Sequence, residues 1–362
     1  MDGARVGPER YGADMSAAVR TLTQRELNRA LLARQMLITP GPGDIPAVLE
    51  RMGGLQAQYA PAMYIGLWSR MAGLRRDAVT QALTQRRVVQ ATLLRSTIHL
   101  VSRNDYWPFA RAIRTHRRGQ FLRATKGDPS EAELAAAAEK VRSAIAEGGP
   151  IRQLEIDKLI GARLRRGVGL WVDLVRVPPS GTWERRRADL FTTAEDWLGP
   201  EPELDLDECV DLLVRRYLGG FGPATPAQIA DWAGLPVATV TAALGRIRLR
   251  RFRAEDGSEL VDLPRLPLPA AHTSVPVRFL PVWDATLLVH ARRTGILPER
   301  HRGRIFSVKT PHSFNTVLVD GVVVGTWRYA DGTIHFDEFE PLDPAVRREI
   351  QAAAQPLAEF HA

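Results

Sequence analysis

Cysteine is almost absent from this chain of 362 residues, since Cys209 is the only one. One cysteine cannot form an internal disulfide, a cysteine-built zinc site or an iron–sulfur cluster. The sequence therefore predicts a reducing, cytoplasmic environment. The eight histidines are scattered without the spacing of metal ligands, so we expect chemistry that uses no metal and no other cofactor.

Long hydrophobic runs are missing as well. No apolar stretch approaches the ~20 residues that a membrane-spanning helix needs, so we expect no membrane partner. The first twenty residues contain no apolar core of a secretion signal. They are polar and glycine-bearing without periodicity, which predicts a flexible tail over residues 1–20.

Lysine is scarce: only four of the 49 basic residues are lysines and the others are arginines, against 41 acidic residues. The formal net charge is +8. The planar guanidinium suits bidentate contacts with phosphate, which favours a nucleic-acid partner. A GC-rich genome imposes the same arginine-rich, lysine-poor composition, so charge alone leaves both explanations open.

Helices followed by a strand hairpin occur three times, which predicts three tandem winged helix-turn-helix motifs. In the first, Thr23 and Glu26 form a capping box, and the hairpin strands lie at 88–94 and 97–101. The second has a long helix around 134–145 and candidate strands at 171–177 and 182–184.

The third copy is the clearest. Thr225 and Pro226 begin a helix that ends at Gly234, a second helix follows, and strands at 248–254 and 259–263 form the wing. A proline-bearing linker then leads to a β-rich unit with a final helix. The predicted fold class is α+β, and the predicted units are a tail at 1–20, winged helices at 21–120, 121–200 and 201–264, and a C-terminal unit at 265–362 that carries a basic hairpin.

One short segment differs from its surroundings. Gly53 and Gly54 precede Gln56-Ala57-Gln58, and Pro61 follows them. In an extended backbone, residues i and i+2 project from one face about 6–7 Å apart, so the two amides would point together while Ala57 packs inward. Such a pair can hold a water molecule or a base edge. Two solvated linker glutamines would have the same sequence, and the residues alone favour that simpler explanation.

A winged helix most often binds DNA as a regulator, and this chain lacks the G-x-S-x-G, Walker, H-E-x-x-H and Rossmann signatures. A transcriptional regulator without catalysis is therefore the alternative function. Such a protein would prefer a specific operator and would form a dimer.

Blocks distributed over residues 22 to 360 nevertheless resemble one family of enzymes, the winged-helix DNA glycosylases of the AlkZ/AlkX (YcaQ-like) superfamily. Their order and spacing are more specific than any single block. In chain order they are LNRA at 27–30, GGLQAQ at 53–58, LRSTIHLV at 94–101, DYW at 105–107, GTWERR at 181–186, EDWLG at 195–199, PVWD at 281–284 and VDG at 319–321.

This resemblance implies a fold of three winged helices with a β-rich addition and a monofunctional DNA glycosylase activity. The family's Gln-x-Gln motif marks its azinomycin-resistance branch, and Gln56 and Gln58 match it, which implies that they are the catalytic pair. The implied substrate is double-stranded DNA with N7-alkylpurine or interstrand-crosslink lesions, processed by a monomer in repair or self-resistance.

Other residues are weaker candidates for DNA contacts. Thr97 and His99 share the i, i+2 spacing, although a structural role or a phosphate contact is the more frequent use of such residues. Asp284 could approach the cleft or could be a local cap. The remaining candidates are arginines expected to contact the DNA backbone, for which a solvated surface is the alternative: Arg95, Arg114, Arg117, Arg118, Arg300, Arg302 and Arg304.

Overall fold

The computed structural model describes residues 19–41, 43–288, 294–306 and 313–362. Residues 1–18 of the tail predicted at 1–20 therefore lie outside the described residues, as do residues 42, 289–293 and 307–312. Among the helices in these ranges, none has the length and apolar character that a membrane span requires. The same ranges contain no group of three His, Cys, Asp or Glu side chains placed to hold a metal ion.

The first hundred described residues follow the predicted pattern closely. The capping box at the first helix is confirmed, because Thr23 and Glu26 each accept the other's backbone N–H. The elements are β1 (Thr21–Leu22), α1 (Gln24–Arg34), α2 (Ile45–Met52), β2 (Leu55–Gln56), α3 (Ala60–Trp68), α4 (Arg76–Thr84), β3 (Val88–Thr92), a 3-10 turn (Leu94–Ser96), β4 (Ile98–Ser102) and α5 (Arg103–Ala124).

The middle of the chain contributes helices and strands to the same sheet as β2 to β4. Its elements are α6 (Glu131–Gly148), β5 (Ile151–Arg152), α7 (Gln153–Ile160), α8 (Ala162–Val168), β6 (Leu174–Arg176), β7 (Leu190–Thr193) and α9 (Ala194–Leu198). The strand order is β2-β4-β3-β6-β7-β5, with antiparallel neighbours throughout. Strands from the first two predicted units thus form one sheet.

The predicted second hairpin paired the wrong segments. The strand at β6 pairs with β7, whereas residues 182–184 lie in the loop between them. In that loop the Ser180 hydroxyl donates to the Arg187 carbonyl (2.8 Å) and accepts from the N–H groups of Asp189 (2.9 Å) and Leu190 (3.1 Å). A side chain therefore satisfies backbone groups that a strand partner would otherwise have bound.

The third predicted copy has the expected order of elements: α10 (Leu206–Phe221), α11 (Pro226–Ala233), α12 (Val237–Arg246), β8 (Arg250–Ala254) and β9 (Glu259–Asp262). Thr225 caps α11 by accepting from the Gln228 N–H, and Gly234 ends that helix at φ 67°. The short strand β1 pairs in parallel with β8, a contact between distant residues that no local pattern indicates.

The C-terminal part is a four-stranded sheet covered by a helix. Its elements are β10 (Arg278–Leu280), α13 (Ala285–Leu288), a 3-10 turn (Glu299–His301), α14 (Arg302–Ile305), β11 (Thr316–Val319), β12 (Val322–Ala330), β13 (Thr333–Glu338) and α15 (Pro344–His361). The basic hairpin predicted at Arg300 to Arg304 is wrong, since this segment is helical. Pro298 opens the turn, and the Glu299–Arg302 pair (3.1 Å) at i, i+3 stabilises it.

The main hydrophobic core crosses the predicted boundaries. Phe109 of α5, Val175 of β6 and Leu213 of α10 belong to one buried cluster. Two further buried side chains, Leu280 and Leu318 from the C-terminal sheet, join the same cluster. The division at residues 120, 200 and 264 stays a prediction. The structure is a mixed α+β fold in which all the predicted units share packing.

Candidate active site

The segment that carries Gln56 is shaped by two glycines. Gly53 and Gly54 adopt φ values of 79° and 84°, in the left-handed region. A Cβ on Gly54 would lie 3.0 Å from Val101 Cγ1, and one on Gly53 would lie 3.3 Å from the Arg216 carbonyl oxygen. Helix α2 can therefore end tightly against β4, and the chain turns directly into β2.

In β2, Gln56 pairs with His99 of β4 in antiparallel register. The residue is 9% exposed, and within the described part of the chain its amide has no hydrogen-bond partner, although its amide atoms are not fully buried. Ala57 is buried on the opposite side, as the alternation predicts. An amide that has no protein partner and keeps some contact with solvent can bind a water or a ligand, so Gln56 is available to bind one.

Gln58 lies in a different environment from Gln56. It is exposed, and its Oε1 accepts a hydrogen bond of 3.2 Å from the Ile98 N–H. The side chain thereby extends the pairing of β2 with β4 by one acceptor. Its NH₂ group keeps both donors for solvent or a ligand. Convergence of the two glutamine amides on one water stays a prediction.

His99 is neutral in the folded protein. Burial lowers its pKa to about 3, the Thr97 carbonyl partly opposes that shift, and the charges of Arg95 and Arg117 reinforce it. Nδ1 lies 3.0 Å from the Thr97 carbonyl oxygen, which can only accept, so the ring carries its proton on Nδ1. Nε2 is then an acceptor. The predicted pair of Thr97 and His99 is in contact, with Thr97 orienting the ring.

The turn between β3 and β4 is strained. Arg95 and Ser96 both have left-handed φ values, 50° and 59°, which cost energy for residues with a Cβ. Arg95 Nη1 donates to the Trp232 carbonyl at 2.6 Å and so ties the turn to α11. The predicted DNA contact at Arg95 is therefore engaged with protein, at the rim of the Gln56 site.

Gln56 and His99 line one small cavity with residues from three other parts of the chain. The cavity measures about 10 Å³, enough for one water molecule. Its walls are Gly53, Gly54, Gln56, Arg95, His99, Phe221, Trp232, Ala285 and Leu288. Trp232 belongs to the main hydrophobic core and also lines this cavity, and nothing in the sequence pointed to Phe221 or Leu288.

Asp284 immediately precedes the short helix whose residues Ala285 and Leu288 line this cavity. Its carboxylate is fully buried and pairs with both Nη atoms of Arg70 at 2.9 Å. It also accepts from the N–H (3.0 Å) and hydroxyl (2.7 Å) of Thr286. Asp284 is thus a buried ion-pair partner and cap that holds the turn carrying Ala285 and Leu288.

The helix arginines predicted as phosphate contacts bind protein groups. Arg114 pairs with Asp173 (3.0 Å) and Glu201 (2.9 Å). Arg117 Nη1 donates to the Thr92 carbonyl at 3.2 Å, and Arg118 Nε donates to the Leu170 carbonyl at 2.7 Å. Arg118 also lies over the Trp171 ring.

The C-terminal arginines are more exposed. Arg300 pairs with Glu340 (2.9 Å) and Arg302 with Glu299 (3.1 Å), both on the surface. Arg304 lies over the Phe339 ring, 4.1 Å from its centroid. Exposed pairs of this kind are weak, so a phosphate could replace either carboxylate. Their predicted role in binding DNA stays a prediction.

Comparison with known proteins identifies the family. The model of the family described as "DNA glycosylase AlkZ-like" matches residues 49–360. A curated relative, the interstrand DNA cross-link repair glycosylase of Streptomyces sahachiroi, is 23% identical in an alignment 363 residues long that covers 90% of this chain and 93% of that protein.

The fold comparison agrees with the sequence comparison. The solved structure of Streptomyces sahachiroi DNA glycosylase AlkZ is similar with a TM-score of 0.77 and 21% identity, covering 93% of this chain and 97% of that one. At this identity the likeness establishes the fold. The match of the family model over residues 49–360 shows that this chain belongs to the AlkZ-like family of DNA glycosylases.

Proposed function

We propose that the protein hydrolyses the N-glycosidic bond of purines alkylated at N7, including purines joined in an interstrand crosslink. One observation carries the proposal: Gln56, whose amide has no protein partner among the described residues, lines a cavity that it shares with a neutral His99. The crosslink substrate is supported by the name of the Streptomyces sahachiroi relative. We propose Gln56 and Gln58 as the catalytic pair.

The chemistry suits neutral side chains. A purine alkylated at N7 is cationic, so it leaves without prior protonation. The water oxygen forms a bond to C1′ while the C1′–N9 bond breaks, and that electron pair neutralises the departing base. The water loses one proton to solvent. The enzyme must orient the water and stabilise the positive charge that develops on the sugar, and carbonyl dipoles can do both.

Gln56 is placed for the larger share of this work. Its Oε1 can accept a hydrogen from the water, and the Nε2 lone pair of His99 can accept the second. The cavity of about 10 Å³ admits a water but no base. We therefore infer that the sugar is attacked at the cavity mouth. Gln58, with its Oε1 bound to the Ile98 N–H, offers only its NH₂ group.

Several further features belong to this proposal. The order α10, α11, α12, β8, β9 supports a winged helix in the third unit, and we infer two more, in the first and second units. We also propose that the enzyme acts on double-stranded DNA as a monomer, in the cytoplasm. Repair of damaged DNA or resistance to a genotoxin would use the same reaction.

The decisive experiment is single-turnover base release from duplex DNA carrying N7-methylguanine or an N7 crosslink. We expect Gln56→Ala to slow release about a hundredfold, as for loss of one transition-state contact, and Gln58→Ala to slow it less. Gln81→Ala, an exposed glutamine on α4, is the matched control. DNA affinity measured in parallel should stay unchanged. Wild-type release by the Gln56→Ala variant, or no release by the wild type, would overturn the proposal.

A further inference from the structure

A second and much larger cleft lies on the other side of the strained turn. It measures about 510 Å³ and is formed by α5, α7, α8 and the strands β6 and β7. Its apolar walls include Phe121, Leu170 and Phe191. Five arginines also line it: Arg114, Arg117, Arg165, Arg166 and Arg176.

Two of these guanidinium groups converge on one residue. Arg117 Nη1 donates to the Thr92 carbonyl at 3.2 Å, while both Nη atoms of Arg176 lie 3.3 Å from the Thr92 hydroxyl. Arg176 is 9% exposed and lies over the Phe191 ring. Arg117 Nε is buried and has no partner among the described residues.

Neither Arg117 nor Arg176 pairs with a carboxylate within the described ranges. The other charges of the cleft are largely balanced, since Arg114 pairs with Asp173 and Glu201, and Arg165 pairs with Asp157 (3.3 Å). The charge of Asp173 partly offsets the burial of Arg117, whereas no charged neighbour among the described residues offsets the burial of Arg176. An anion held between the two guanidinium groups would compensate this buried charge.

Both side chains stay cationic at neutral pH. Burial lowers the pKa of Arg117 and that of Arg176 to about 10, still well above 7. Both Nη atoms of Arg176 retain a free N–H, and Arg117 retains most of its donors, because a guanidinium has five. The cleft therefore offers charge and several directed donors.

We propose that this cleft binds a phosphate group of the DNA backbone next to the lesion, held between Arg117 and Arg176. The proposal rests on DNA being the substrate, as in the proposed function. Phosphate is the anion that a planar guanidinium pair recognises best, and the apolar walls accept the attached sugar or base.

The position of the cleft explains why the phosphate would lie close to the reaction. Thr92 is the last residue of β3, and Leu93 and Ser96 of the following turn line the arginine cleft. Arg95 of the same turn lines the Gln56 cavity. One turn thus separates the phosphate from the glycosidic bond.

The first test is the salt dependence of binding to an undamaged duplex, which needs no catalysis. Each phosphate contact contributes about 0.9 to the slope of log K against log salt. We expect Arg117→Gln and Arg176→Gln each to lower the slope by about one, and Arg117→Lys to keep it. Arg347→Gln on α15, which is paired with Glu338, is the charge-matched control and should keep it too. Wild-type slopes in both Gln variants would overturn the proposal.

The second test locates the phosphate. A duplex with a 2′-fluoro N7-methylguanine, which resists cleavage, carries one neutral methylphosphonate at each position in turn. We expect the methylphosphonate at one position near the lesion to weaken DNA binding by the wild type about tenfold, as for loss of a charged hydrogen bond. The same substitution should leave DNA binding by Arg117→Gln unchanged. Equal losses in both proteins at every position would overturn the assignment.

A free anion is the other source of the same chemistry. Inorganic phosphate would then raise the melting temperature of the wild type but not that of Arg117→Gln, while both proteins would show the same salt slope for DNA binding. In that case the cleft binds a free anion and the backbone assignment is wrong. Loss of base release in Gln56→Ala with an intact salt slope would confirm that this test is independent of the catalytic proposal.

Discussion

Removing the carboxylate of Asp284 should destabilise the protein severely, because the guanidinium of Arg70 would remain as a buried charge without its counter-ion. Asp284 and Arg70 are both fully buried, and two hydrogen bonds of 2.9 Å join them. In Asp284→Ala the guanidinium keeps the Gly66 carbonyl (2.9 Å) but has no counter-ion. Breaking such a pair costs about 3–5 kcal/mol, a large share of the ~5–15 kcal/mol that stabilises a typical domain.

Three variants separate the charge from the packing. Asp284→Asn keeps the volume and one acceptor, so it should cost less than Asp284→Ala. The double variant Arg70→Met with Asp284→Leu removes both charges, and it should be more stable than Asp284→Ala. Glu338→Ala breaks the exposed pair with Arg347 and should have a much smaller effect.

Urea unfolding followed by tryptophan fluorescence measures these differences as shifts of the midpoint at constant slope. The reasoning would be refuted if Asp284→Ala cost less than about 1 kcal/mol, the value of an ordinary hydrogen bond. A double variant as unstable as the sum of its single changes would refute it as well.

Two further predictions concern the Gln56 site. The pKa of His99 falls from 6.5 to about 3 on folding, so between these two pH values the unfolded chain binds one more proton than the folded protein. The free energy of unfolding should therefore decline by about 1.4 kcal/mol for each pH unit from 6.5 down to about 3. Unfolding midpoints from pH 7 to 4 should show this decline, and His99→Gln should reduce it, whereas an unchanged profile would contradict the buried neutral ring. Gly54→Ala should cost about 1–2 kcal/mol, because φ is 84° and the new Cβ lies 3.0 Å from Val101 Cγ1. Thermal melting measures this loss of stability. Base release per folded molecule should also fall, because the displaced segment carries Gln56. Wild-type values for both measurements would contradict the role assigned to Gly54.

Local signals in the sequence predicted several helices, whereas the enzyme class was predicted from the resemblance to a known family. Thr225, Pro226 and Gly234 determine the start and the end of α11, because a cap, a fixed φ and a left-handed residue each act within one turn. Membership of the AlkZ-like family confirms the predicted DNA glycosylase over a regulator without catalysis.

Pairings between distant residues could not be predicted in the same way. The segment 171–177 contains three valines, which favours the strand β6, but the partner strand β7 lies beyond a loop that Ser180 stabilises through its hydroxyl. Nothing local distinguishes the residues 182–184 from the true partner. The segment at Arg300 shows the converse case. A basic hairpin was predicted there, but an i, i+3 ion pair stabilises a helical turn.

The candidate site combines both kinds of information. The glycine pair and the alternation of Gln56 and Ala57 are local, so the sequence indicated an extended segment with Ala57 inward, as observed. The burial of Gln56 depends on His99, which is 43 positions further along the chain, and on the Asp284 turn, which is held by Arg70. A two-residue strand has little stability of its own, so these long-range contacts determine which glutamine enters the cavity. Exchanging Gln56 and Gln58 for other residues should therefore affect catalysis unequally, although the motif treats them alike.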